Sequence, residues 1–320
     1  MSSRVFVGYA AAAYRLLHCG NLGLRKSSVL PKSGQTIDAV RARSVLKLLA
    51  LPDKARLDTC VLTDSDRRKS LFCRPHVCKF AEEGDYMGFG DDVYVACPEL
   101  VFLQMADALS VCELILLAYE LCGSFATQDN VFSRGNPLTT KQRLEDYIKQ
   151  RTGEHGVKKA QEALRYVVDG SASPRETQLA TLLCASQKYG GYGFPLPALN
   201  GRIDLEERQQ RVLGRRFLRC DILWRQANLV IEYDSDAFHC GAEKINEDSL
   251  RRNVLRRTGI TVIDVTNGQL RKAEAFHEIA IQVEDELGVA VIGRRASVWN
   301  GRNQSLRRLL FCESALDRLH

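Results

Sequence analysis

The chain has 320 residues, 45% of them hydrophobic and 26% charged, which suits a globular protein and excludes a largely disordered or collagen-like polymer. That length exceeds one average domain, so two domains are expected. The net charge of +6 tilts the surface toward anionic partners, but the excess is small and the placement of arginine says more than the total.

The apolar opening VFVGYAAAAYRLL is interrupted by Arg15 and lacks a basic leader, the pattern expected of a chain without a signal peptide. No run of 18 apolar residues occurs, so no membrane span and no membrane partner are expected. Residues 1–70 otherwise mix short apolar patches with Lys, Arg and Asp turns. The 11 cysteines are odd in number and contain no C-x-x-C pair. Cys73, His76 and Cys78 are close, but no second ligand pair follows at zinc-site spacing. The cysteines read as reduced, mostly buried thiols, which places the protein in the cytoplasm.

DDVYVACPELVFLQMADALSVCELILLAYELCGSF reads as a strand, a Cys-Pro turn and a long apolar helix, with Pro98 at the first helical position and Glu99 at the positive end of the dipole. NPLTTKQRLEDYIKQRTGEHGVKKAQEALRYVVDG reads as two short helices joined at Gly153–Gly156, the first capped by Thr139 or Thr140. A boundary follows in DGSASPRETQLATLL, where Ser173 caps a new helix and Pro174 enters its first turn. The expected organisation is therefore a mostly α region over 1–170, a second domain over 171–290 and a basic tail or helix over 291–320.

The second domain is expected to run as a helix near 174–187, a Gly-rich loop, an extended piece near 195–207 and strands near 211–224 and 228–235. A helix near 243–258, the strand GITVIDVT and a helix near 269–287 complete it. The fold class is thus α/β, with an αβββαβ core, a mixed sheet flanked by helices. Arginine concentrates in this half: Arg211, Arg215, Arg216 and Arg219; then Arg251, Arg252, Arg256 and Arg257; then Arg294, Arg295, Arg302, Arg307 and Arg308. Its planar fork of donors matches phosphate oxygens, although each cluster alone also fits a solvated face.

DILWRQANLVIEYDSDAFH, residues 221–239, threads four acids through two strand-like segments. If RQAN forms the turn, Trp224 faces Leu229 and Asp221 lies opposite Glu232, with Asp234 on the same face and Arg219 across from it. Ile222, Trp224, Leu229, Ile231 and Tyr233 then form the other, core face. Like charges this close destabilise a hairpin unless one is protonated or a cation bridges them, and Mg²⁺ or Mn²⁺ would do so. The competing account satisfies each acid separately with arginines at a strand edge.

The stretch SPRETQLA…RCDILW…LVIEYDSDAFH…EDSLRRNVLRRTGITVIDVT resembles the PD-(D/E)xK, or restriction-endonuclease-like, superfamily, in its branch related to very-short-patch repair endonucleases. The resemblance covers about 170–287. It implies metal-dependent hydrolysis of DNA phosphodiesters in phage defence or DNA repair. Asp221 and Glu232 would hold Mg²⁺ (or Mn²⁺), with Glu176 completing or orienting the site. The branch's further positions fall on Asp234, His239, Asp248 and Arg252. Asp234 stands where the superfamily usually has a catalytic lysine, so His239 or an arginine would take over acid–base or charge-stabilising work. Arg215, Arg216, Arg219, Arg252 and Arg256 are the candidate grip on the nucleic-acid backbone. The alternative is a non-catalytic DNA-binding regulator that keeps the nuclease fold, and RNA as substrate is a third option.

VYVACPELVFLQMADALSVCELILLAYELCG is similar to proteins of bacterial abortive-infection systems, in which a regulatory or DNA-binding portion precedes a nuclease-like domain. That similarity implies an antitoxin-like context, with DNA, a second copy of the chain and a partner toxin or defence protein as candidate partners.

Overall fold

β-Branched and aromatic runs become short strands, and Ser-, Thr- and Pro-headed stretches become helices, in a computed structural model that describes residues 4–19, 23–34, 37–52, 54–68, 70–128, 131–234, 242–290 and 297–311. The chain is mixed α/β and divides into two units, Met1–Cys122 with Ala126–Arg165, and Gly123–Phe125 with Tyr166–Cys312.

The first unit corrects an expectation. A mostly helical region was expected, and a six-stranded sheet runs through it. Its elements begin β1 (Val5–Val7), α1 (Tyr9–Cys19), β2 (Arg25–Ser27), α2 (Ala39–Leu48), β3 (Leu57–Val61), β4 (Cys73–Val77), β5 (Tyr86–Gly90) and β6 (Val93–Ala96). The strand order is β2-β5-β6-β1-β3-β4. All six strands have three to five residues, too short for their period-2 pattern to stand out in sequence.

The apolar stretch after β6 is two helices, α3 (Pro98–Met105) and α4 (Val111–Cys122), instead of one long helix. Every residue of α3 is buried, so it is a core helix without a solvent face. A two-stranded sheet, β7 (Phe125–Gln128) and β8 (Val131–Arg134), follows. Then come α5 (Lys141–Gln150), capped by the Thr140 hydroxyl, and α6 (Val157–Leu164).

The second unit runs α7 (Pro174–Cys184), β9 (Ala198–Asp204), α8 (Glu207–Leu213), β10 (Phe217–Trp224), β11 (Leu229–Asp234), α9 (Ala242–Arg257), β12 (Thr261–Thr266), α10 (Asn267–Arg271), α11 (Ala273–Leu287) and α12 (Ser297–Phe311). The expected strand near 211–224 starts later, because Glu207–Leu213 forms a helix with Gly214 at its left-handed end. The sheet order is β12-β11-β10-β9, with β11 and β12 parallel and the other pairs antiparallel. α9 covers one face: its Val254 and Leu255 share a cluster with Leu205, Leu218, Cys220, Leu223 and Val230.

The basic segment expected as a tail or helix contributes α12. Trp299 donates to the Gly191 carbonyl at 3.0 Å and Asn303 to the Gly190 carbonyl at 2.7 Å. Gly190 has φ +90°, and a Cβ there would meet the Arg302 carbonyl oxygen at 2.4 Å. Only glycine lets this loop lie against the helix.

Candidate functional site

The hairpin register is the one that the four-residue turn dictates. Trp224 pairs with Leu229, Leu223 with Val230 and Ile222 with Ile231, around an Asn228 at φ +47°. There the pairing between β10 and β11 stops. β10 continues beside β9 as far as Phe217↔Asp204, and β11 continues beside β12 as far as Asp234↔Thr266. The sheet therefore forks just beyond Ile222 and Ile231, with Asp221 on one arm and Glu232 and Asp234 on the other.

This corrects the expectation of Asp221 set squarely opposite Glu232 on a regular face. The ladder between β9 and β10 skips the Asn200–Asp221 position, where Asn200 has φ +48°. Strict alternation would put Leu218 and Cys220 on the face opposite Leu223, yet all three join one cluster. The alternation breaks at Asp221, as it does where a strand carries an irregularity that re-aims a side chain. The Asp221 carboxylate turns to the fork and accepts the Tyr233 N–H at 2.7 Å.

Arg251, from α9, ties the two arms together. Its guanidinium donates to Glu232 Oε1 at 2.7 Å and to the Arg219 carbonyl. The Cys220 thiol also reaches Glu232. Burial pushes the Glu232 carboxyl up from 4.5 to about 7, with Arg251 opposing and the charges of Asp221 and Asp264 adding to the rise. Burial raises Asp221 as well, opposed by the Tyr233 N–H and by Arg251. Glu176 is raised by burial and then by Asp221, against the hydrogen bonds that it accepts. One buried and two partly buried acids that bear on one another, with a single guanidinium between two of them, mark a candidate functional site.

Glu176 itself is heavily bonded. It accepts the Ala172 N–H at 2.8 Å, the Ser173 hydroxyl at 2.9 Å and the Asn200 side-chain amide at 2.5 Å. It thereby holds Asn200, whose ladder position faces Asp221. Among the described residues, no three His, Cys, Asp or Glu side chains form a group able to hold a metal ion. Asp234 is half-buried on β11 beside Thr266. His239 lies outside the described residues, as does the side chain of Asp248.

Of the arginines singled out in sequence, Arg215, Arg216, Arg219 and Arg256 are exposed. Arg252 is partly buried and pairs with Asp264 at 3.1 Å. Arg251 was the missed residue. It was visible as one of four arginines at helical spacing, but which of them would face the acids depends on how α9 sits on the sheet. No protein-family model matches the chain, and no curated protein or solved structure matches it.

Proposed function

We propose that the Tyr166–Cys312 unit is a restriction-endonuclease-like, metal-dependent domain that hydrolyses DNA phosphodiesters. The observation that carries this reading is the forked sheet, which presents Asp221 and Glu232 at its mouth with less positive charge than two largely desolvated, partly buried carboxylates require. Asp221 and Glu232 fit as donors to Mg²⁺ or Mn²⁺: such ions commonly take one or two carboxylates and complete their shell with water and substrate phosphate. Glu176 fits a different role, that of fixing Asn200 and the Asp221 arm, because both of its oxygens are already engaged. A bound divalent ion supplies an activated water and neutralises charge on the phosphoryl oxygens.

The chain's own residues do the rest. Arg251 keeps Glu232 aimed into the fork and, in place of the lysine absent at Asp234, brings the cation nearest the two acids. Arg215, Arg216, Arg219 and Arg256 offer exposed guanidinium groups to backbone phosphates, which makes binding steep in salt.

One observation favours the second reading, a DNA-binding regulator that does not cut. Glu232 already has a cation in Arg251, and Glu176 is saturated. Supercoiled plasmid incubated with the protein and Mg²⁺ or Mn²⁺ separates the two. The nuclease reading expects nicking by the wild type and none by Asp221→Asn. Salt-sensitive binding without nicking, or equal nicking by the variant, would leave the regulator.

A further inference from the structure

A second cluster of chemically reactive side chains lies in the first unit, away from the carboxylates. The parallel pair β3–β4 sets Cys60 beside His76, and the chain leaves β4 through Cys78, whose N–H bonds to the Val61 carbonyl at 2.8 Å. The Gln104 side-chain amide, from α3, donates to both sulfurs at 3.4 Å each. A glycine at position 8 permits this convergence: a Cβ there would meet Cys60 Sγ at 2.4 Å and Gln104 Oε1 at 2.7 Å. The Tyr86 hydroxyl is fully buried, has no nitrogen or oxygen partner among the described residues and bears on the two thiols.

The two thiols differ. Cys60 is fully enclosed, and burial raises it well above an ordinary thiol. Cys78 is partly exposed and is lowered, first by its contact with Cys60, against the opposing effect of burial and with help from Tyr86 and Gln104. Burial raises Cys73, Cys97, Cys184 and Cys220 instead. Cys78 also lines a cavity of about 350 Å³, together with Tyr9, Gln104, Asp107 and His155. A thiolate-prone cysteine at a cavity wall with a second sulfur behind it has the layout of an attacking and a resolving thiol.

We propose that Cys78 and Cys60 form a reversible redox pair that hydrogen peroxide oxidises to a disulfide. The Cys78 thiolate attacks one peroxide oxygen and the O–O bond breaks. Sulfur is oxidised to the sulfenic acid, and the departing hydroxide leaves as water after taking a proton. The Cys60 sulfur then attacks the sulfenic sulfur. Its thiol proton leaves with the displaced hydroxyl as a second water, and the S–S bond forms. A dithiol reductant restores both thiols.

The consequence reaches the cavity through Gln104. Its Oε1 accepts the Tyr9 N–H at 2.9 Å, and Tyr9 sits at φ +50° with its ring stacked 3.8 Å from that of His76. Oxidation takes away the thiol pair to which Gln104 donates, so the start of α1 and the cavity wall are where the change is felt.

Hydrogen peroxide at a few equivalents, applied to the full chain and followed by N-ethylmaleimide and peptide mapping, tests the pair. In the wild type a Cys60–Cys78 linked peptide is expected, lighter by two hydrogens and lost on reduction with dithiothreitol. In Cys60→Ser, which lacks the resolving thiol, the sulfenic acid at Cys78 should persist after peroxide and be trapped by dimedone. Thermal melting shows whether each variant folds, and the wild-type link needs no variant. A wild type that yields no such link, or links between other cysteines first, overturns the proposal. So does a folded Cys60→Ser variant in which dimedone leaves Cys78 unlabelled.

Discussion

Each unit buries an acid against an arginine, and the two pairs are built differently. In the first unit Asp85 takes both oxygens to Arg151 Nη2 at 2.8 Å and also accepts the Glu82 N–H at 2.7 Å and the Tyr147 hydroxyl at 2.9 Å. Arg151 in turn reaches Glu82, Glu154 and the Phe80 carbonyl. In the second unit Glu232 has Arg251 and a thiol, and Asp221 has one backbone N–H. Burial of charge is common to both, so burial alone does not distinguish structure from function. Completeness does: a fully bonded acid is a fastener, whereas under-bonded acids that raise one another are poised for something they do not yet hold.

The two pairs should therefore break in opposite senses. Arg151→Met strands Asp85 in the core and should cost about 3–5 kcal/mol of stability in urea denaturation, the usual toll of an orphaned buried charge. Glu232→Gln removes a charge that the fold tolerates poorly, so in the absence of divalent ions near pH 8 it should leave the protein as stable as the wild type or more so. A loss comparable to that of Arg151→Met would make Glu232 a fastener too.

Acidity provides the next measure of the difference. Glu232 holds its proton to about pH 7 when folded, against 4.5 for an ordinary glutamate, so the folded state binds more protons than the unfolded chain between those values. Stability from this group is fully present below about pH 4.5 and is lost as pH rises through 7, by about 3 kcal/mol. Glu232→Gln should flatten that part of the profile, and Asp85 variants should leave it in place. Divalent ions should act on the same site: Mg²⁺ at ten times its Kd should add about 1.4 kcal/mol to the wild type. Asp221→Asn or Glu232→Gln should abolish the gain, whereas Glu176→Gln, in which an amide NH₂ replaces one accepting oxygen and so loses the bond from Ser173 or those from Ala172 and Asn200, should lower stability and keep the Mg²⁺ response. A Mg²⁺ response that survives both Asp221→Asn and Glu232→Gln would put the metal elsewhere.

Local chemistry was legible where it is decided by neighbours in sequence. Ser173 caps α7, Thr140 caps α5, and the RQAN turn fixes Trp224 opposite Leu229, because each depends on a few adjacent residues. What could not be read depends on partners far along the chain. The fork follows from β10 staying with β9 while β11 stays with β12, and the break at Asp221 is matched by the left-handed Asn200 some twenty residues earlier. The six-stranded sheet of the first unit was hidden for a similar reason: strands such as VFV and RKS carry too few residues to declare a period. The acids of the site were visible as types, but the guanidinium that meets them was one of four candidates until α9 was placed on the sheet.

The arginines carry the finest version of the same contrast. Arg252 is tied to Asp264, whereas Arg256, one turn further along α9, is exposed. Arg256→Ala and Arg216→Ala should change stability by no more than about 0.5 kcal/mol, as surface substitutions do. If these side chains meet phosphates, each variant should also lower the slope of log binding constant against log salt by about one, uniformly across DNA sequences. Arg252→Ala frees Asp264 from its partner and adds a negative charge to the neighbourhood that already raises Glu232. It should therefore weaken DNA binding beyond one phosphate contact and push the pH transition of Glu232 higher. Identical salt slopes for all three variants, with that transition unmoved, would place Arg252 with the surface grip and not with the carboxylate site.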